Sequence, residues 1–187
     1  FLRSEWPVLL AMDLLFLLAF IIWITIASQH PDISHTEKPM DFAFLNAVFS
    51  AKYFPPEDPW FSGHPISYYY FGHLIMATLA KITLTSPAIA YNLSISLIPA
   101  LLAIGSYGLL YNLIRLSNGS RKISMSYSLI GPALLLLMSN LQGPLELAHT
   151  QGWGDPAFWN WVQIKGMDGI GDSLTSFFPN DTWWWWR

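Results

Sequence analysis

The sequence predicts an all-α fold, that of a polytopic helical membrane protein with about four transmembrane helices. Hydrophobic residues make up 53% of the 187 residues and charged residues only 11%, whereas soluble domains carry about 25% charged residues. Residues 8–27 contain a single charge, Asp13, and about twenty apolar residues suffice for a helix to cross a hydrocarbon core of ~30 Å. Further apolar runs at residues 68–84, 88–114 and 123–141 predict three more spans.

Two segments are predicted not to span. The first loop, residues 28–67, contains six prolines, which break any long helix. Within it, residues 41–52 carry apolar side chains near helical spacing, the pattern of a short helix lying in the membrane interface. The tail, residues 142–187, holds seven of the ten tryptophans. Because tryptophan favours the headgroup level, the tail is also expected at the interface.

The charges leave the orientation of the third and fourth spans open. If Arg3 is cytoplasmic, four alternating spans place the acidic first loop outside and the basic connection at residues 115–122 outside as well. The positive-inside rule favours the opposite placement for a basic connection. Either the second span is shorter than a full crossing or one span is misassigned.

Composition excludes several function classes. The absence of cysteine from the sequence excludes disulfides, thiolate metal sites and cysteine nucleophiles. A net charge of −3 with no basic run gives no footprint for nucleic acid. Phosphate-binding glycine loops, paired-histidine zinc motifs and Gly-x-Ser-x-Gly elbows are also absent.

Carboxylates and imidazoles are concentrated in the first loop. They are Asp32, Glu37, Asp41, Glu57 and Asp58, with His30, His35 and His64. Such a cluster could bind a divalent cation or supply a general base, although loop acids commonly do no more than solvate a surface. Glu37 and Asp41 stand four residues apart, so they could share one helix face or cap the helix that begins near Asp41.

A run of tyrosines is predicted to open the second span at the bilayer boundary. There the hydroxyls of Tyr68, Tyr69 and Tyr70 can meet a polar ligand while the rings meet lipid. At about 100° per residue, three consecutive side chains face three directions, so at least one should point into the protein. His73 follows Tyr69 and Tyr70 at helical spacing and is expected on their face. An aromatic belt and a hydrogen-bonded histidine are the simpler interpretations.

Two segments, residues 35–41 and 58–73, carry a family resemblance. Both resemble the YYY-domain or DUF2298 family of large membrane proteins, and the tryptophan-rich tail is similar as well. The resemblance covers most of the 187 residues. It implies that the chain is a single N-terminal piece of a larger transmembrane domain, located in a prokaryotic plasma membrane.

That family in turn resembles membrane glycosyltransferases of the C-type fold, whose first extracytoplasmic loop carries an acidic catalytic residue. The resemblance implies transfer of a sugar from a polyprenyl-phosphate donor to an extracytoplasmic acceptor. The resemblance implies Glu37 and Asp41 as the first candidates for the catalytic base or a metal ligand, and Asp58 as the next. The substrate-binding residues it implies are Lys38, His64, Tyr68, Tyr69, Tyr70 and His73.

Bound Mg²⁺ or Mn²⁺ could neutralise the leaving phosphate, and Lys38 or Lys52 could serve instead.

Two rival functions stay open. One is a non-catalytic membrane protein in which aromatic residues anchor helices and the acids are solvated. The other is a transporter with Asp13 and His73 as a proton path. Catalysis requires Glu37 or Asp41 to converge with Asp58 and residues 68–73 on one cavity.

Overall fold

A computed structural model of the protein describes residues 2–29, 31–34, 37–117, 119–138 and 141–164. These residues form helices, turns and loops but no β-strand, which confirms the all-α prediction for the described part of the chain. The helices are α1 (Leu2–Gln29), α2 (Lys38–Ser50), α3 (Phe71–Ile82), α4 (Pro87–Leu116), α5 (Arg121–Tyr127), α6 (Ile130–Pro132), α7 (Gln142–Thr150) and α8 (Pro156–Val162). A π-helical segment, Ala133–Met138, follows α6 directly.

Two of these helices are long and apolar enough to cross a membrane. They contain the stretches Glu5–Gln29, of 25 residues, and Pro87–Leu116, of 30 residues. At about 1.5 Å per residue, each exceeds a hydrocarbon core of ~30 Å. The predicted first and third spans therefore correspond to helices of crossing length.

The predicted second span differs from the structure. Helix α3 has 12 residues and is about 18 Å long, which is less than the thickness of a hydrocarbon core. The predicted helix start at Tyr68 is wrong, since Tyr70 is the N-cap of α3. The physical reason is a long-range contact: the Ile66 N–H donates to the Pro56 carbonyl, which holds this part of the chain in a loop. Aromatic residues also lose side-chain freedom in a helix.

The predicted fourth span, residues 123–141, is not one regular helix. It is divided among α5, α6 and the π-helical segment. Pro132 has no N–H to donate, so the regular i→i−4 pattern is interrupted there. A four-span arrangement is therefore not confirmed. The prediction for the tail falls partly on residues 165–187, which lie outside the described residues.

The chain divides into two compact units. Unit 1 comprises the described parts of residues 1–19 and 101–187, and unit 2 comprises those of residues 20–100. In unit 1, the Tyr111 hydroxyl donates to the Glu5 carboxylate at 3.1 Å, and the Met12 side chain lies against Gly108. The beginning of α1 and the end of α4 therefore run antiparallel within this unit.

Unit 2 is organised around one buried cluster, formed by Leu45, Val48, Ala77 and Tyr91. It brings together α2, α3 and the first turns of α4. The Asn92 amide also donates to the carbonyl of Pro31, two residues after the end of α1, at 3.3 Å. The start of α4 is thereby joined to the segment that follows α1.

Candidate functional site

Helices α2 and α3 pack side by side and run in the same direction. The pairs that show it are Asp41 with His73 and Phe49 with Lys81, which are in contact, and Leu45 with Ala77, which belong to one buried cluster. In every pair the second residue lies 32 positions after the first. Because residues i and i+4 share one helix face, the three pairs form a continuous seam, with an acid and an imidazole at one end and a lysine at the other.

At the first end of the seam, Asp41 Oδ1 lies 3.6 Å from His73 Nε2. This is an ion-pair distance when the imidazole is protonated, but it is too long for a hydrogen bond. The Asp41 side chain is 37% exposed and the His73 side chain 20%. Solvent therefore reaches the carboxylate more easily than the ring beside it.

The other ring nitrogen of His73, Nδ1, is buried and finds no hydrogen-bond partner among the described residues. A buried N–H without an acceptor is costly. In the neutral ring, the proton is therefore best placed on Nε2, where it faces Asp41. The imidazole then presents its positive edge to the carboxylate.

The start of α2 explains why Asp41 lies where it does. The predicted helix at residues 41–52 is confirmed as α2, but it begins one turn earlier, at Lys38. Glu37 is the N-cap and Pro39 lies in the first turn, a position that suits proline. Glu37 is exposed and its side chain makes no capping hydrogen bond. Asp41 lies in the first turn, where the helix dipole favours a negative charge.

Phe44 joins the acid–imidazole pair to the loop that follows α2. Its side chain is only 4% exposed, and its ring centroid lies 5.8 Å from Trp60, 5.5 Å from Tyr68 and 5.9 Å from His73. We call these four residues the aromatic cluster. Such separations are typical of favourable ring pairs. Because Trp60 is 61% and Tyr68 46% exposed, two of its rings remain accessible.

Asp58 organises the loop that presents Trp60. Its Oδ1 accepts the Trp60 N–H at 2.8 Å and the Phe61 N–H at 3.1 Å, while its own N–H donates to the His64 carbonyl at 2.9 Å. This is the turn-forming use of a short carboxylate side chain. Gly63, with φ of +81°, supplies the left-handed conformation that the turn requires. The geometry thus gives Asp58 a structural role, and its catalytic role stays a prediction.

The remaining predicted site residues lie outside the aromatic cluster. His64 is exposed, with its ring stacked 4.3 Å from that of Phe61. Tyr69 is 85% exposed. Tyr70 stacks against Phe54 at 6.5 Å and packs on the core of unit 2.

The expectation that Tyr69, Tyr70 and His73 share a helix face is wrong, because Tyr69 precedes α3 and Tyr70 is its N-cap. Of the predicted residues, the structure brings Asp41, Tyr68 and His73 together around Phe44. Asp58 instead accepts hydrogen bonds from the backbone of its own loop, so the expected convergence with Asp58 on one cavity is not found among the described residues.

The described residues offer little support for a metal at Glu37 and Asp41. No group of three or more histidine or acidic side chains suited to a metal ion occurs in the described part of the chain. Glu37 is exposed and Asp41 faces His73. His35 lies outside the described residues. The donor set of the described residues therefore does not fit a protein-bound Mg²⁺ or Mn²⁺.

Comparison with known proteins decides the family. The family model described as uncharacterized membrane protein (DUF2298) matches residues 2–187. The chain belongs to this DUF2298 family. No curated protein and no solved structure matches it. The family resemblance noted in the sequence is thereby confirmed, and the chain is a membrane protein.

Several residues of this DUF2298 member were not singled out by the sequence reasoning. Phe44 had a local signal, since it follows Asp41 at i+3 and lies among apolar residues at helical spacing. Trp60 had no local signal, because its contact with Phe44 depends on the path of the loop.

Unit 1 also contains residues that the sequence did not point to. Glu146 is only 8% exposed, and His149, one turn later on α7, meets the Trp159 ring edge-on at 4.8 Å.

Proposed function

We propose that the protein is a membrane glycosyltransferase-like enzyme that transfers a sugar from a polyprenyl-phosphate donor to an extracytoplasmic acceptor, with Asp41 as general base. The observation that carries the proposal is the contact between the Asp41 carboxylate and the His73 imidazole, beside the accessible rings of Trp60 and Tyr68. A partly exposed carboxylate held by a neighbouring imidazole suits proton abstraction from a bound hydroxyl.

The reaction needs one proton acceptor and one leaving group. Asp41 takes the proton from the acceptor hydroxyl while the hydroxyl oxygen forms a bond to the anomeric carbon of the sugar. The bond between that carbon and the phosphate oxygen breaks, and the phosphate leaves with the electron pair. His73 is proposed as a positioning residue, because its Nε2 edge faces the carboxylate at 3.6 Å. The partial exposure of Asp41 lets the proton pass on to solvent.

Lys38 is the better placed of the two lysines proposed to neutralise the leaving phosphate. It is the first residue of α2 and lies one turn before Asp41, so the Cβ atoms of the two residues are about 5–6 Å apart. Lys52 lies beyond the opposite end of the helix, about 15 Å away along the axis. Since the phosphate is bonded to the reacting carbon, it must lie near the base.

The accessible rings of the aromatic cluster supply a surface for the sugar. The Trp60 and Tyr68 rings both contact Phe44, which also contacts His73. Aromatic rings offer an apolar face, and tryptophan and tyrosine add a polar group at the edge. Binding sites commonly combine such rings with a few charged groups. The sugar would therefore rest on these rings with its anomeric carbon toward Asp41.

The test is sugar transfer from a labelled polyprenyl-phosphate donor in membranes that contain the full-length protein. Asp41→Asn should lower turnover by about 10²–10⁴-fold, the contribution typical of a general base. Asp58→Asn is the matched control, because the asparagine Oδ1 can still accept the two loop N–H groups. Equal turnover in wild type, Asp41→Asn and Asp58→Asn would remove Asp41 from the mechanism.

The non-catalytic alternative is favoured by one observation of its own. Trp60, Phe61 and Tyr69 are 61%, 62% and 85% exposed, as expected for side chains that anchor a loop in the membrane interface. Under this alternative, replacing Trp60 and Phe61 with serine weakens membrane attachment of the loop, while no variant of Asp41 changes any turnover. The transporter hypothesis, with Asp13 and His73 as a proton path, stays a prediction.

A further inference from the structure

A groove lies at the other end of the α2–α3 seam, next to the turn that leads into α4. It is a shallow groove that is largely open to the outside, with a volume of about 530 Å³. Its lining includes Phe49, Lys81, Leu84, Thr85 and Ser86. This groove is separate from the Asp41–His73 pair, because His73 and Lys81 are two helical turns apart on α3, about 12 Å.

Lys81 is the only charged side chain among the described residues that line the groove. Its ammonium group lies 5.3 Å from the centroid of the Phe49 ring, within the range of a cation–π contact. The ring fixes the position of the cation without neutralising its charge. The groove therefore offers a positive centre to a ligand.

The rim of the groove is strongly apolar and outward-facing. Leu84 is 93% exposed, and Ile82, the last residue of α3 and the neighbour of Lys81 in the sequence, is 74% exposed. Leu84 has a φ of +55°, a left-handed conformation that leucine rarely adopts. The turn is held by a hydrogen bond from the Thr85 N–H to the Ala80 carbonyl at 2.9 Å. The end of α3 and the turn after it thus carry a cation and exposed aliphatic side chains within a few residues of one another.

The threonine hydroxyls at the groove are engaged within the turn itself. The Thr83 hydroxyl donates to the Leu79 carbonyl at 2.8 Å and lies 2.9 Å from the Thr85 hydroxyl. Because the Thr83 hydrogen is already committed, Thr85 is the donor of that second contact. Thr85 therefore helps to fix the turn, and Lys81 and Ser86 are the groups left to meet a ligand.

We propose that this groove binds the headgroup of an anionic membrane phospholipid, with Lys81 on the phosphate and the acyl chains against Leu84 and Ile82. The charge of the groove selects an anion, and its apolar rim selects an amphiphile over a soluble ion. A volume of about 530 Å³ holds a headgroup but not a whole lipid, so the chains continue along the exposed aliphatic surface. Juxtamembrane lysines attract anionic lipids in the same way.

This site does not rest on the proposed sugar transfer. The phosphate of a reacting donor is bonded to the carbon that the acceptor attacks, so it must lie beside the Asp41–His73 pair, whereas Lys81 is two helical turns, about 12 Å, beyond His73 on α3. Lys81 therefore contacts a lipid that is not consumed. Loss of the site changes lipid selectivity whether or not the protein is an enzyme.

The test uses the full-length protein in nanodiscs that contain a photo-crosslinkable phosphatidylglycerol or a photo-crosslinkable phosphatidylcholine. After illumination, pepsin digestion and mass spectrometry measure the label on residues 79–87. We expect several-fold more label from phosphatidylglycerol, and this preference should disappear in Lys81→Gln. Lys81→Arg should keep it, because the charge is retained. Lys52→Gln is the matched control, since Lys52 is exposed but does not line the groove.

Two further arms identify the source of the anion. Unlabelled phosphatidylglycerol should compete for the label, and inorganic phosphate should not. High salt should reduce the preference, because exposed charges are screened. Any one of four results would overturn the proposal. The two lipids label equally, the preference is unchanged in Lys81→Gln, inorganic phosphate alone displaces the label, or these residues carry no label.

Discussion

Asp41 and His73 face each other at 3.6 Å because α2 and α3 run parallel, with the residues on the facing side of α2 beside those 32 positions later in α3. The same register places Phe49 beside Lys81, two turns further along. One pair of short helices therefore carries an acid–imidazole pair at its beginning and an exposed cation at its end. The two polar ends are separated by the buried contact region that contains Leu45 and Ala77.

Phe44 is predicted to hold the candidate site together. Phe44→Ala removes a buried ring that contacts Trp60, Tyr68 and His73, and such a change typically costs about 3–5 kcal/mol. The thermal unfolding temperature of the detergent-solubilised full-length protein should fall clearly. Tyr69→Ala is the control, because that ring is 85% exposed, and it should change little. Equal melting temperatures for the two variants would contradict the assigned packing.

Asp58 is predicted to act through backbone hydrogen bonds rather than through its charge. Asp58→Ala removes the acceptor of the Trp60 and Phe61 N–H groups, a loss of about 1–2 kcal/mol in local stability. Chymotrypsin should therefore cleave after Trp60 or Phe61 faster in this variant. Asp58→Asn keeps an oxygen in place and should be cleaved at nearly the wild-type rate. If both variants are cleaved at the same rate, the charge matters more than the bonds.

The sequence was sufficient for α1 and α4 but not for the other two apolar runs or for the site. Helices α1 and α4 follow from length and composition, because crossing a membrane requires many consecutive apolar residues. The start of α3 could not be predicted, since it depends on the Ile66–Pro56 hydrogen bond between distant parts of the loop. Asp41 was a candidate from its position, but its pairing with His73 depends on the parallel register of α2 and α3. No local pattern specifies that register.

The topology is predicted to contain two crossings, α1 and α4, before residue 117. Tyr111 is hydrogen-bonded to Glu5, so the end of α4 lies beside the beginning of α1. The basic connection at residues 115–122 then lies on the same side of the membrane as Arg3 and opposite the first loop. This agrees with the positive-inside rule. It also removes the conflict that a crossing by residues 68–84 would create.

Single-cysteine labelling tests this topology, because the sequence contains no cysteine. Ser62→Cys in the first loop and Ser117→Cys after α4 should react with a membrane-impermeant maleimide from opposite sides of sealed vesicles. Four alternating spans require both positions to react from the same side. If both cysteines react from the same side, residues 68–84 cross the membrane as a second span, and the two-crossing topology is contradicted.

Close packing between α4 and α6 predicts a specific effect of one added methyl group. A Cβ atom at Gly131 would lie 2.9 Å from the Ser106 carbonyl oxygen, so Gly131→Ala must push the two helices apart, at a cost of about 1–3 kcal/mol. Gly105 has no atom within 4 Å of an added Cβ. Gly105→Ala should be neutral or stabilise the helix by about 0.5–1 kcal/mol. Thermal melting that ranks the two variants in the reverse order would contradict this packing.

The most direct test of the Asp41–His73 pair is a double-mutant cycle on sugar transfer by the full-length protein, with Asp41→Asn, His73→Gln and the combined variant. If His73 acts by positioning the Asp41 carboxylate, it has nothing to position once that carboxylate is gone. The combined variant should then be as slow as Asp41→Asn alone, since residues that act as a unit are not additive. Independent effects that multiply in the combined variant would contradict the account.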